Sequence, residues 1–199
     1  MVGNKKLFVE GGGDSETLHS ECRKGFRAFL EKAGLKNKMP RIIACGGRAQ
    51  AVDRFLSSIG RGETAFLLID SENNVPSSQN SIEFLSAEFG NLKDKQDLAD
   101  RCHLMVVCME TWFLADQEAL AKYFSTGFDK EKLPQQPNIE TISKHDLFES
   151  LKKSTRNTKT KGEYDKGTHS FKILAAINPA LVLSSSTWAK RFVEKLNES

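Results

Sequence analysis

Long apolar runs are missing from this 199-residue chain. None approaches the roughly 20 consecutive apolar residues of a membrane-spanning helix, so no such span is expected. Cysteine is scarce too: Cys22, Cys45, Cys102 and Cys108 form no C-x-x-C pair. That speaks against a zinc site and for buried free thiols in a reducing cytoplasm. The opening residues, "MVGNKKLFVE", lack a signal-peptide pattern and run straight into a strand. Charge of one sign is lacking as well. A net charge of +3 is too balanced to establish nucleic-acid binding by itself. The glycine-rich stretch "GGGDSET" has neither the G-x-x-x-x-G-K-[ST] phosphate loop nor a G-x-G-x-x-G fingerprint, and gives no support to an ATP or dinucleotide site.

What is present suffices for one domain of generous size. Hydrophobic residues make up 39% of the chain, and 13 phenylalanines supply a core. Apolar strands at Leu7–Val9, "RIIACGG", "TAFLLID" and "HLMVVCME" alternate with helical patterns. The first helix carries Leu18, Cys22, Phe26, Phe29, Leu30 and Ala33 at three- and four-residue steps, with Asp14 or Ser15 as its cap and Gly34 as its end. A second carries Ala51, Val52, Phe55, Leu56 and Ile59; "SIEFLSAEF" and "TWFLADQEALAKYF" read as the third and fourth. The order predicts an α/β fold: an open, mostly parallel, Rossmann-like sheet with helices on both faces. Residues 5–124 form that core in this reading. Residues 125–199 form a C-terminal helical extension, with a loop over Ser125–Thr141 and helices near Ser143–Lys153, Ser170–Ala176 and Thr187–Leu196.

Open parallel sheets bind ligands outside the carboxyl ends of their strands. Here those ends are acidic. The first strand ends in Glu10, the third in Asp70 and Glu72, the fourth in Glu110, with Asp116 in the helix that follows. The second ends in Gly46-Gly47-Arg48. Taken one at a time, each acid is an ordinary turn or cap residue. Together they repel one another, and partial burial adds desolvation, so a cluster of them calls for a cation. An all-oxygen set suits Mg²⁺ or Mn²⁺, and such ions commonly act on phosphoryl oxygens. Asp70 and Glu72, two apart in an extended segment, would point to the same side. Farther on, "SLKKSTRNTKTKGEYDKGTHSFK" is rich in lysine. It reads as a solvated loop or as a phosphate-contacting surface.

The series "VEGGGDSE", "LLIDSE" and "ETWFLAD" in this order resembles the Toprim domain of topoisomerases, primases and OLD-type nucleases. It also resembles Toprim-like families of unknown function found beside ATPase genes in bacterial defence operons, a likeness to which Gly46–Arg48 contributes. The resemblance spans about residues 5–195. It implies that Glu10 is a metal ligand or general acid/base, that Asp70 leads the acidic pair, and that Glu72 stands where Asp is usual. By the same resemblance Glu110 and Asp116 are additional metal acids, Lys166 and Arg48 are phosphate-stabilising cations, and His169 is a weaker phosphate contact. With only Tyr123 and Tyr164 in the chain, no topoisomerase-type tyrosine nucleophile is evident. The expectation is a cytoplasmic Mg²⁺- or Mn²⁺-dependent nuclease acting on DNA, or on RNA such as transfer RNA, as effector of an ATPase-linked phage-defence system. A separate ABC- or AAA-type ATPase subunit is the expected partner, and a homo-oligomer stays open. The rival from another class is a non-catalytic Toprim-fold subunit that binds and regulates that ATPase. A phosphotransferase or phosphatase acting on a small molecule is a third, weaker reading.

Overall fold

The computed structural model describes residues 5–198. Its centre is a parallel sheet of β1 (Lys6–Val9), β2 (Arg41–Ala44), β3 (Ala65–Asp70) and β4 (Cys102–Met105), in the order β2-β1-β3-β4. Val9 pairs with Ala44 on one side and Leu68 on the other, and Asp70 pairs with Met105. The chain steps from β1 outward to β2, then returns to place β3 on the opposite flank of β1. The direction of winding therefore reverses between β1 and β3, the crevice where open α/β sheets bind ligands.

The two-residue period of a strand sorts the core into two layers. Leu7, Val9, Phe66 and Leu68 face one layer with Cys22, Phe26, Phe29 and Leu30 of α1 (Glu16–Leu30). Phe8, Leu67, Ile69 and Leu104 face the other, with Ala51, Val52 and Phe55 of α2 (Arg48–Gly60) and Ile82 and Leu85 of α3 (Ser81–Ser86). Each such fully buried apolar side chain contributes roughly 1.5–3 kcal/mol. Ser15 caps α1 by accepting the Leu18 N–H at 3.1 Å, and Gly34, at φ +95°, turns the chain after it.

The segment read as one helix after the fourth strand divides in two. Met109–Asp116 is 3₁₀-helical, and α4 (Gln117–Phe124) begins only where the Asp116 carboxylate accepts the Ala119 N–H at 3.0 Å. The fourth strand also stops at Met105, earlier than expected, so Glu110 is delivered by the 3₁₀ segment rather than by the strand.

The C-terminal part comprises α5 (Lys144–Thr155), α6 (Lys166–Ala176), α7 (Pro179–Ser185) and α8 (Thr187–Glu198). It is no appendage. Ile173 and Leu174 of α6 and Phe192 and Leu196 of α8 belong to the same buried layer as Leu7 and Val9. Helices α1 and α6 touch closely at Gly25, where a Cβ would stand 2.7 Å from the Phe171 carbonyl oxygen. Lys32 of the turn after α1 fastens the far end of α6, donating to the Ala175 and Ala176 carbonyls at 2.6 and 3.0 Å. Buried Glu140 holds the start of α8 by accepting from Ser186 Oγ at 2.5 Å and from the Trp188 N–H at 2.9 Å. No helix among the described residues is long and apolar enough to cross a membrane.

Candidate functional site

A cavity of about 270 Å³ opens at the carboxyl ends of β1 and β3. Its polar wall comprises Glu10, Asp70, Glu110, Lys166 and Ser170, and the glycines Gly11–Gly13 and Gly46 form its backbone rim. The rim is fixed by a pair of main-chain bonds: Gly11 N donates to Gly46 O at 2.8 Å, and Gly46 N to Gly11 O at 3.0 Å. Gly46 has φ +74°, and a Cβ there would meet the Gly13 carbonyl at 2.8 Å, so the position demands glycine.

Glu10 and Asp70 are placed by the sheet itself. Glu10 Oε2 accepts the Asp70 N–H at 2.9 Å, and Asp70 Oδ1 accepts the Met109 N–H at 2.9 Å. One carboxylate oxygen each from Glu10, Asp70 and Glu72 lies within 4.8 Å of the others. Glu72 arrives by a different route from the one expected. It has left the extended strand, takes φ +67°, and donates its N–H to Val107 O at 2.9 Å. Its side chain forms an ion pair with Lys144 of α5.

A second triad, Asp70, Cys108 and Glu110, is likewise within 4.8 Å and wholly buried. Burial, then Glu110 and Asp70, pushes the Cys108 thiol up, which favours its protonated form in the metal-free cavity. Glu110 has no exposed surface. Its Oε1 accepts from Ser170 Oγ at 3.0 Å and stands 3.4 Å from Lys166 Nζ; its Oε2 has no hydrogen-bond partner among the described residues. A buried carboxylate oxygen without a partner is costly, and a cation is the group that would satisfy it. The Tyr164 hydroxyl, 2.7 Å from Ser170 Oγ, extends the chain of polar contacts inward.

The electrostatics of the cavity follow from burial. Loss of water raises Glu10 from an ordinary 4.5 to about 7, against the pull of the Asp70 amide and Arg48; Glu72 adds to the rise. Asp70 is raised well above its ordinary value, first by burial, then by Glu10 and Glu110. Burial lowers the Lys166 ammonium, but attraction to Glu110 and Asp70 outweighs it and the net shift is upward. Lys166 is thus a fixed positive charge facing an acid-rich wall. The residues fit a hard divalent cation: the donors are oxygens, the acids repel one another without one, and Glu110 Oε2 is an orphan.

Three expected site residues lie elsewhere. Asp116 is a structural clamp, not a metal acid. Its Oδ1 caps α4 and its Oδ2 accepts the Asn178 N–H at 2.8 Å, so both oxygens are committed. His169 points away from the cavity into an aromatic nest of Tyr123, Phe124 and Tyr164. Its Nδ1 accepts the Asp165 N–H at 2.9 Å, and burial lowers its pKa, so it is neutral and makes no phosphate contact there. Arg48 reaches Glu10 only through space. Its guanidinium pairs with Glu88 at 2.8 Å and stacks over Phe89, leaving Lys166 as the cation in the cavity wall. Three other cations of the basic stretch are paired at the surface: Lys153 with Glu149, Arg156 with Glu163, Lys172 with Glu21.

Ser170, Tyr164 and Lys144 carry no motif that sequence reasoning could have used. Ser170 sits one turn beyond Lys166 on α6, and that helical spacing was the only available signal.

Searches of curated proteins and of solved structures found no match. A family model described as a domain of unknown function, DUF4276, matches residues 9–197, and the chain therefore belongs to the DUF4276 family.

Proposed function

We propose that this protein is a Toprim-like, metal-dependent nuclease that hydrolyses phosphodiester bonds in DNA or RNA. The observation that carries the reading is the meeting of Glu10, Asp70 and Glu72 at the winding reversal of the sheet, beside a buried Glu110 with an unsatisfied oxygen. A Mg²⁺ or Mn²⁺ ion held by Glu10, Asp70 and Glu72, with Glu110 completing or extending the set, would polarise the scissile phosphate and acidify water.

The chain's own groups have separate tasks. Glu10, oriented by the Asp70 N–H at the head of the cavity, would serve as a metal ligand or take a proton from attacking water. Asp70 is oriented by the Met109 N–H and holds its carboxylate toward Glu10. Lys166 sets a permanent positive charge where charge develops on the phosphate, a role worth about 2–4 kcal/mol by analogy with a single oxyanion donor. Ser170 and Tyr164 hold Glu110 in its rotamer. The role as effector beside a partner ATPase rests on the sequence resemblance. A reducing, cytoplasmic setting is supported by four buried cysteines, none of them disulfide-bonded.

Calorimetric titration with Mn²⁺, comparing wild type with the Glu10→Ala, Asp70→Ala double variant, is the first test. Binding should vanish in a folded double variant, and wild type with Mn²⁺ should cut plasmid DNA or total RNA. Wild type that binds no divalent ion at millimolar concentration would refute the reading and leave the regulatory-subunit alternative.

A further inference from the structure

The outer edge of the sheet has a feature that the acidic cavity does not use. Among the described residues, strand β2 has β1 on one side and no strand on the other. Arg41 N donates to Lys5 O at 2.8 Å and Cys45 N to Val9 O at 3.0 Å, so these alternate residues face β1. The main-chain groups of Ile42 and Ala44 therefore point outward. Beside them runs a groove of about 580 Å³ between the β2 edge, α1 and α2.

Four arginines line it: Arg23 and Arg27 from α1, Arg41 from β2 and Arg54 from α2. All four are exposed. Arg27 pairs with Glu31 at 3.0 Å, but Arg23, Arg41 and Arg54 make no ion pair among the described residues. Glu16 is the only acid among the described residues of the lining. One edge charge would suffice to keep such a strand from pairing with other chains. Three guanidinia without a carboxylate partner in a single concavity exceed that need, although Arg54 also interacts with the Cys45 thiol. Their planar forks suit phosphate oxygens, which they bind bidentately.

The groove also leads somewhere. His19 lines it and hydrogen-bonds the Gly13 carbonyl at 2.7 Å, and Gly13 lines the acidic cavity. A polyanion lying along the arginines would reach the acidic site across that rim.

We propose that the β2-edge groove binds the sugar-phosphate backbone of the nucleic-acid strand whose scissile phosphate enters the acidic cavity, an inference that rests on the nuclease reading above. Arg23, Arg41 and Arg54 would each engage a phosphate, and the outward amides of Ile42 and Ala44 offer further donors. The repulsive cavity acids and the attractive groove together define a path: the strand is held at its flank and neutralised at its centre only when a divalent ion is present.

The test is binding of fluorescein-labelled 20-nucleotide single strands, DNA and RNA of one sequence, in EDTA across a salt series. Each lost phosphate contact lowers the slope of log K against log salt by about 0.7 for single strands, so Arg23→Ala/Arg41→Ala/Arg54→Ala should lower it by about 2. Affinity at low salt should fall by roughly tenfold or more. The triple lysine variant, which keeps the charge, should keep most of the slope. Arg23→Gln, on the exposed side of α1, should lower it by about 0.7 even if the triple variant fails to fold. Unchanged slopes in the folded variants would overturn the proposal. So would a wild type that ignores both oligonucleotides but captures a polyglutamate peptide, which would make the groove a docking edge for an acidic protein. Arginine-dependent binding without cleavage in Mn²⁺ would instead retire the nuclease reading and leave the groove standing.

Discussion

Replacing Glu10 with glutamine should separate stability from function in opposite directions. Glutamine keeps the volume and the carbonyl oxygen that accepts the Asp70 N–H at 2.9 Å, but removes the charge. In the unfolded chain Glu10 loses its proton near its ordinary 4.5; in the folded, metal-free protein it holds it to about 7. Between those values the folded state binds more protons than the unfolded one, so stability falls as pH rises and levels off above about 7. A shift from 4.5 to about 7 corresponds to roughly 3 kcal/mol at most. Because Glu10 is only partly buried and shares its shift with Asp70, about 1–3 kcal/mol is the expected gain for Glu10→Gln at pH 8. The gain should shrink toward zero at pH 4. Urea unfolding in EDTA at several pH values measures it. Adding Mn²⁺ at pH 8 should stabilise wild type and leave the variant nearly unmoved, while cleavage is lost. A variant less stable than wild type at pH 8 in EDTA would refute the reasoning, since Glu10 would then be a net stabilising charge without a metal.

Asp116→Ala should lower stability by about 1–3 kcal/mol, because two backbone N–H groups lose their acceptor, while Mn²⁺ affinity in the folded variant stays within about twofold of wild type. Urea melts and calorimetry read the two effects separately. Gly25→Leu should separate α1 from α6 and destabilise by about 1–3 kcal/mol or more, with loss of activity in the fraction that folds, since Ser170 and Phe171 of that helix face the cavity. Lys144→Met releases Glu72 from its ion pair, and Mn²⁺ should then bind about 2- to 10-fold more tightly. Weaker binding would mean that Lys144 orients Glu72 for the metal rather than competing with it.

The sheet was legible because its signal is short-range and repeated. Alternate residues of "AFLLID" fall into different layers, and the acids Glu10 and Asp70 follow directly from where buried strands end. Errors began where the chain leaves regular structure. Glu110 and Asp116 are six residues apart in a segment that rises about 2.0 Å per residue, which sets them roughly 12 Å apart along it, too far for one ion. Glu72 reaches the cluster through a left-handed turn that no alternation rule anticipates. Lys166 was found through resemblance, but its placement depends on α6 packing at Gly25, a contact between parts of the chain distant in sequence. His169, like Lys166, was assigned through resemblance. Its neighbours are aromatic rings supplied by α4 and by Tyr164, just ahead of α6, and only the tertiary fold brings them together.

The wall opposite the strand ends belongs to α6, and this has a consequence for how the protein comes into being. Glu10, Asp70 and Glu110 leave the ribosome well before Lys166 and Ser170 do. Until that helix docks against α1, Glu110 has neither its ammonium nor its hydroxyl neighbour, and the acids remain a loose, hydrated set open to water on one side. Assembly of the cleft therefore waits on α6. A growing chain would carry the acids of the cleft before it carries the helix that closes over them.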